Sequence, residues 1–198
     1  MTRMLRFTPS VWLLCLASLL LAVAARPAHA QASENIMSDG EVEKLREAAY
    51  VPADRLAVFI KILDSRSKAI EDLMAKPRHP GREERLHDLM DQIGGIADEL
   101  NDNLDDYAPK HRDLRKVLPK LLEATERWST TLRSAPEDPA YKVVRKIALD
   151  AMRDIHDAAA TMQTDQIAYF KAHPEAAKAD AERTNPEVSR PTQVDIPR

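Results

Sequence analysis

Residues 86–107 read LHDLMDQIGGIADELNDNLDDY, and Leu86, Met90, Ile93, Ala97, Leu100, Leu104 and Tyr107 follow one another there in an unbroken alternation of four and three. An α-helix returns a side chain to the same face every 3.6 residues, so this spacing puts all seven on one stripe; a half-buried strand would alternate by two. The same beat continues on both sides. Leu56, Ile60, Leu63, Ser67, Ile70 and Met74 make an earlier stripe, and Leu114, Leu118, Leu121, Thr125, Trp128 and Leu132 a later one. A looser fourth runs through Tyr141, Val144, Ala148, Met152, Ile155, Ala159 and Met162 toward Tyr169 and Phe170. Four long stripes with a period near 3.5 predict an all-α fold: an antiparallel, up-down-up-down four-helix bundle with coiled-coil-like packing. Only 4 glycines and 5% aromatic residues agree with that reading, because sheets draw on aromatic side chains and glycine turns.

The punctuation fits the periodicity. Ser38-x-x-Glu41 reads as a capping box opening a short extra N-terminal helix to about Ala49. Pro52 suits the first turn of the next helix, which should stop before Lys76-Pro77. Residues 76–81 then form a stiff connector. Pro109 marks a short turn, so the second and third stripes are expected to be antiparallel neighbours, and Pro119 should kink or restart the third helix after about Val117. Asp138-Pro139 reads as an N-cap followed by proline at the first helical position of the last helix. The bundle domain is therefore expected over 38–171, after a flexible leader at 31–37. Residues 172–198 lose the apolar period, contain Pro174, Pro186, Pro191 and Pro197, and are expected to be a disordered polar tail.

The first thirty residues speak of address. Arg3 and Arg6 precede an apolar run over 11–25, and Ala28-His29-Ala30 gives the small-x-small pattern of a signal-peptidase site. The expectation is a cleaved signal peptide over 1–30 and an exported protein, periplasmic or secreted, with no stable membrane insertion after cleavage. The apolar run is short for a spanning anchor. Cys15, the sole cysteine, falls inside it, so the mature chain has no thiol for a disulfide, an iron–sulfur cluster, a thiolate zinc site or covalent haem. Removal of 1–30 takes away three arginines and no acid. The mature chain then carries 26 basic residues (29 less 3) against 32 acidic ones, a formal −6 that disfavours nucleic acid as a partner.

Motifs for chemistry are sparse. Glu84-x-x-His87 matches half of a carboxylate di-iron pair, but the matching place in the last helix reads Arg153-x-x-His156, and Glu84 and His87 fall off the apolar stripe. His79, His111, His156 and His173 are scattered. Ser65-x-x-Lys68 copies the penicillin-binding spacing without its supporting motifs. Met74, Met90, Met152 and Met162 lie on the stripes and read as core. Asp98, Glu99, Asp102, Asp105 and Asp106 precede Lys110, His111, Arg112, Arg115, Lys116 and Lys120, and the run lacks the glycine and terminal glutamate of an EF-hand. Pairing between the acidic end of one helix and the basic start of its neighbour is the expectation, and it would set register more than stability. Gly94-Gly95 should accommodate a bulky side chain from a facing helix, with Trp128 as candidate, or else serve as a hinge.

No catalytic, cofactor-binding or metal residue is assigned on these grounds, no cofactor is expected, and the reading leans away from an enzyme. The function expected is a non-enzymatic protein–protein interaction or scaffold module of the cell envelope, binding an envelope protein or itself. The alternative is a small-molecule or metal-binding bundle, catalytic or not, whose site is assembled from distant helices.

Overall fold

A computed structural model describes residues 36–184, so the predicted signal peptide, most of the leader and residues 185–198 lie outside the described residues. All regular structure among the described residues is helical: α1 (Asp39–Glu47), a 3₁₀ turn (Ala48–Tyr50), α2 (Pro52–Met74), α3 (Arg82–Tyr107), α4 (Leu118–Ser134), α5 (Lys142–Ala172) and α6 (Pro174–Arg183).

The helix starts follow local chemistry. Ser38 and Glu41 form the full capping box at α1. Val51 is extended, as a residue before proline must be, and Pro52 sits in the first turn of α2, where its missing N–H costs nothing. Gly81 caps α3 with φ of 80°, a backbone conformation that glycine adopts without strain. Pro119 lies in the first turn of α4, so the helix restarts at Leu118. Leu114, expected on the third stripe, therefore precedes the helix, although it is fully buried. The start of α5 also differs from expectation. Asp138 and Pro139 build a turn in which an Asp138 carboxylate oxygen accepts from the Ala140 N–H (3.0 Å), and the helix begins only at Lys142.

The four long helices share one core in which Leu56, Leu63, Met90, Leu100, Leu121 and Ile155 are completely buried. Each such side chain contributes roughly 1.5–3 kcal/mol by leaving water. The principal packing pairs are α2 with α3, α3 with α5, α5 with α4, and α4 with α2. Helices α3 and α4, although consecutive, are not among these pairs. This corrects the expectation of neighbours joined at Pro109. Residues 108–117 instead lead from α3 to a helix across the core, and Leu114 and Val117 are buried on the way. Gln166 of α5, 3% exposed, holds this segment: its Oε1 accepts from the Leu114 N–H (2.9 Å) and its Nε2 donates to the Arg112 carbonyl (2.7 Å).

The chain beyond Ala172 also departs from the sequence reading, because α6 occupies part of the expected polar tail. Its anchor is Asp180, 4% exposed, whose carboxylate accepts from Arg112 Nε (2.7 Å) and from the Asp113 N–H (2.9 Å). An ion pair across 68 residues replaces the apolar period that this helix lacks.

Candidate functional site

The residues with the most suggestive sequence spacing do not converge. Glu84 is exposed on α3, and His87 Nδ1 lies 3.4 Å from the Asp88 carboxylate rather than beside a second metal-type pair. Ser65 is exposed, and Lys68 is paired with Asp72 (3.1 Å). Met90 and Met152 are fully buried and Met162 nearly so, as core methionines should be. Among the described residues no group of three or more His, Cys, Asp or Glu side chains is placed to hold a metal ion, and no helix is long and apolar enough to cross a membrane.

The acidic and basic run is also distributed otherwise than expected. Lys110 pairs within its own segment with Asp106 (2.5 Å), Arg112 with Asp180 of α6, Arg115 with Asp113 (2.7 Å), and Glu99 with Arg55 of α2 (3.7 Å). Helices α3 and α4 are not a principal packing pair, and the partners of these charges lie in α2, in α6 or close by in the chain. Burial, then the charges of Asp102 and Asp154 across the α3/α5 seam, pushes the Asp98 carboxyl above its usual range. On α1, burial works to raise Glu41. Hydrogen bonds from Arg66, the Ser38 N–H and the Ser38 hydroxyl outweigh it and hold the carboxyl below its ordinary value. Arg66 Nη1 and Nη2 grip both Glu41 oxygens (2.9 and 2.8 Å) while Nε donates to Gln92 (2.7 Å), so one guanidinium ties α1, α2 and α3 together.

Gly94 and Gly95 do serve packing, but the facing side chains are not Trp128. A Cβ on Gly94 would meet Ile147 of α5 at 3.6 Å, and one on Gly95 would meet Ile36 at 2.6 Å. Trp128 is buried elsewhere and donates from Nε1 to Asp64 of α2 (2.8 Å). Ile147 lies over the glycine and is still 53% exposed, and Val143, one turn earlier on α5, is 69% exposed. Two large aliphatic side chains at i and i+4 on one helix thus face solvent, Ile147 lying over the buried Gly94.

Between α4 and α5 a depression of about 90 Å³ is floored by Thr125, Ser129 and Met152 and rimmed by Glu126, Arg133, Arg153 and His156. The Thr125 hydroxyl donates to the Leu122 carbonyl (2.8 Å), so its 3.1 Å contact with His156 Nδ1 has the ring donating. His156 Nδ1 also lies 3.7 Å from Glu126. Nε2 is left for the depression. Sequence reasoning noted His156 only as a failed metal position. Its partner Thr125 sits on an apolar stripe, where a threonine among leucines was the available signal. The larger grooves are also open and charge-lined, such as the 580 Å³ one bordered by Glu41, Lys44, Asp54 and Lys61.

Comparison with protein-family models, with curated proteins and with solved structures finds no match to this chain.

Proposed function

We propose that the chain is an exported, non-enzymatic interaction or scaffold module of the cell envelope. In this reading α2 to α5 form an up-down-up-down four-helix bundle in which one connection crosses the bundle end, so that α2/α3 and α4/α5 are antiparallel neighbours while α3/α5 and α2/α4 run parallel, with α1 as the short extra helix. The observation that carries the reading is a filled core coexisting with an uncovered apolar strip: Leu63, Met90, Leu100 and Ile155 are completely buried, while Val143 and Ile147 stand 69% and 53% exposed on one face of α5. A ligand-binding bundle needs an inward cavity with converging polar groups. Here the buried polar side chains Thr125, Thr131 and Gln166 are bonded to neighbouring helices or loops instead. Exposed aliphatic side chains one turn apart on a helix offer a partner an apolar contact. The charged leader and the Ala28-His29-Ala30 site support export, and the partner is an envelope protein or a second copy.

The test is a photo-crosslinking amino acid at Val143 or Ile147 in the full chain, expressed in a bacterium with an outer envelope, with Lys68 on α2 as the control position. Discrete adducts at 143 and 147 that are absent at 68 are expected. Equal or no crosslinking at the three positions overturns the assignment of this face. N-terminal sequencing of the purified protein should begin at Gln31, and an intact Met1 in the soluble cell fraction would refute export.

A further inference from the structure

We propose that α6 is a hinged strap that opens while the bundle stays folded, and that its opening bares a preformed seat for a carboxylate on the crossing segment. The seat is Arg112 Nε together with the Asp113 N–H, and in the closed state Asp180 fills it at 2.7 and 2.9 Å. Asp180 is the one buried residue of α6. Ala176 and Ala177 are half-buried and the other residues of the helix are exposed, so no large apolar side chain holds it down. Ten residues also fall short of the roughly 12–15 that a helix needs to persist alone in water. A carboxylate in its seat is therefore what keeps α6 closed. Arg183 lies 3.7 Å from Asp180 but belongs to α6, so that contact moves with the strap.

Helices α5 and α6 meet at one non-helical residue, His173 (φ −128°, ψ 69°), and Pro174 follows it, whose missing N–H interrupts the backbone ladder. The hinge is thus written into the sequence. The seat, by contrast, is tied to α5 by contacts in which α6 takes no part. Gln166 holds the Arg112 carbonyl and the Leu114 N–H, the His111 ring stacks on Tyr169 with centroids 3.7 Å apart, and the Arg115 guanidinium lies over Phe170 at 4.4 Å. The Arg112 side chain is 20% exposed, so water reaches it when Asp180 leaves and no charge is stranded in the interior. The donors that remain, a guanidinium and a backbone N–H, suit an acidic side chain arriving from another molecule. The device is separate from Val143 and Ile147, so it stands or falls without the interaction reading.

The experiment is native-state amide exchange on the full chain, read by NMR. Asp113 and Leu114 are adjacent, yet the N–H of one is held by Asp180 and that of the other by Gln166. Asp113 should therefore exchange with the α6 amides, at a rate nearly independent of urea, while Leu114 exchanges with α5 in the urea-dependent opening of the bundle. Alanine is the best helix former, so in Asp180→Ala propensity alone would protect α6. Loss of the anchor should instead lower protection of Asp113 and α6 by about tenfold or more and leave Leu114 unchanged. Glu182→Ala, at an exposed position of the same helix, should match the parent. Acetate titrated into Asp180→Ala at constant ionic strength should shift the Asp113 amide resonance saturably, and Arg112→Gln in that background should abolish the shift. Asp113 exchanging together with Leu114, an Asp180→Ala variant protected like the parent, or an acetate response that is absent or survives Arg112→Gln overturns the proposal.

Discussion

Gly94 and Gly95 are adjacent and chemically identical, yet the structure assigns them opposite tolerances. Alanine in a helix interior is favoured over glycine by about 1 kcal/mol. At Gly94 the added Cβ would rest at ordinary contact distance from Ile147, so Gly94→Ala should stabilise the protein by about 0.5–1 kcal/mol in urea unfolding. At Gly95 the same carbon would stand 2.6 Å from the tip of Ile36, so the isoleucine must move and most of the gain is lost. A double substitution in which Ile36→Ala restores the full benefit at position 95 is the check; an unchanged deficit would refute the contact. Asp98 is the other residue whose surroundings set the sign. An acid with a raised folded-state pKa weakens the fold while ionised and recovers as the pH falls. Asp98→Asn should therefore raise the unfolding midpoint at pH 7, within the roughly 0.5 kcal/mol range of surface changes, and leave it unchanged at pH 3.

At the scale of the element, α1 shows how a short helix is retained. Its one buried side chain, Leu45, is a small apolar anchor, and the Arg66 grip on Glu41 supplies the rest. The Glu41 carboxyl is held below its unfolded value of about 4.3, so its contribution is complete above that pH and is lost as the pH falls through the folded-state value. Amide protection factors in α1 should fall as the pH drops through the folded-state value while those in α3 persist, and Glu41→Gln should lower protection in α1 already at pH 7. If α1 and α3 lose protection together, the grip is not what holds α1. The ends of α1, α2 and α4 were legible because the deciding residues, Ser38, Pro52 and Pro119, act on their own backbone. Asp138-Pro139 misled because the same dipeptide chemistry also makes a turn. Helix α6 was invisible, since its anchor Asp180 depends on Arg112, and nothing within ten residues of Asp180 announces that partner.

Across the whole molecule, periodicity identified the buried faces and could not order them in space. Every member of the second stripe is buried as read, because amphipathic period alone dictates which side leaves water. Which helix lies beside which is set by the route of residues 108–117, and that route is fixed by Gln166, a polar side chain without a periodic signature. The site at His156 was missed for a related reason: it joins groups from two helices whose separate sequences look unremarkable. Gln166→Leu keeps the volume and removes both bonds, leaving the Leu114 N–H and the Arg112 carbonyl unpaired. It should cost about 1–3 kcal/mol in chemical denaturation, and a neutral result would show that the crossing is held by Leu114 and Val117 alone.

That crossing also divides the chain into two halves, α2 with α3 and α4 with α5, each pair local in sequence and joined by a single segment. The surfaces between the halves are the same whether the second half comes from the same chain or from another copy, so the ten residues of the crossing alone distinguish a self-contained protein from one that trades halves. Shortening this tether should favour an exchanged dimer, with the surfaces between the halves kept and only the buried contacts of Leu114 and Val117 given up.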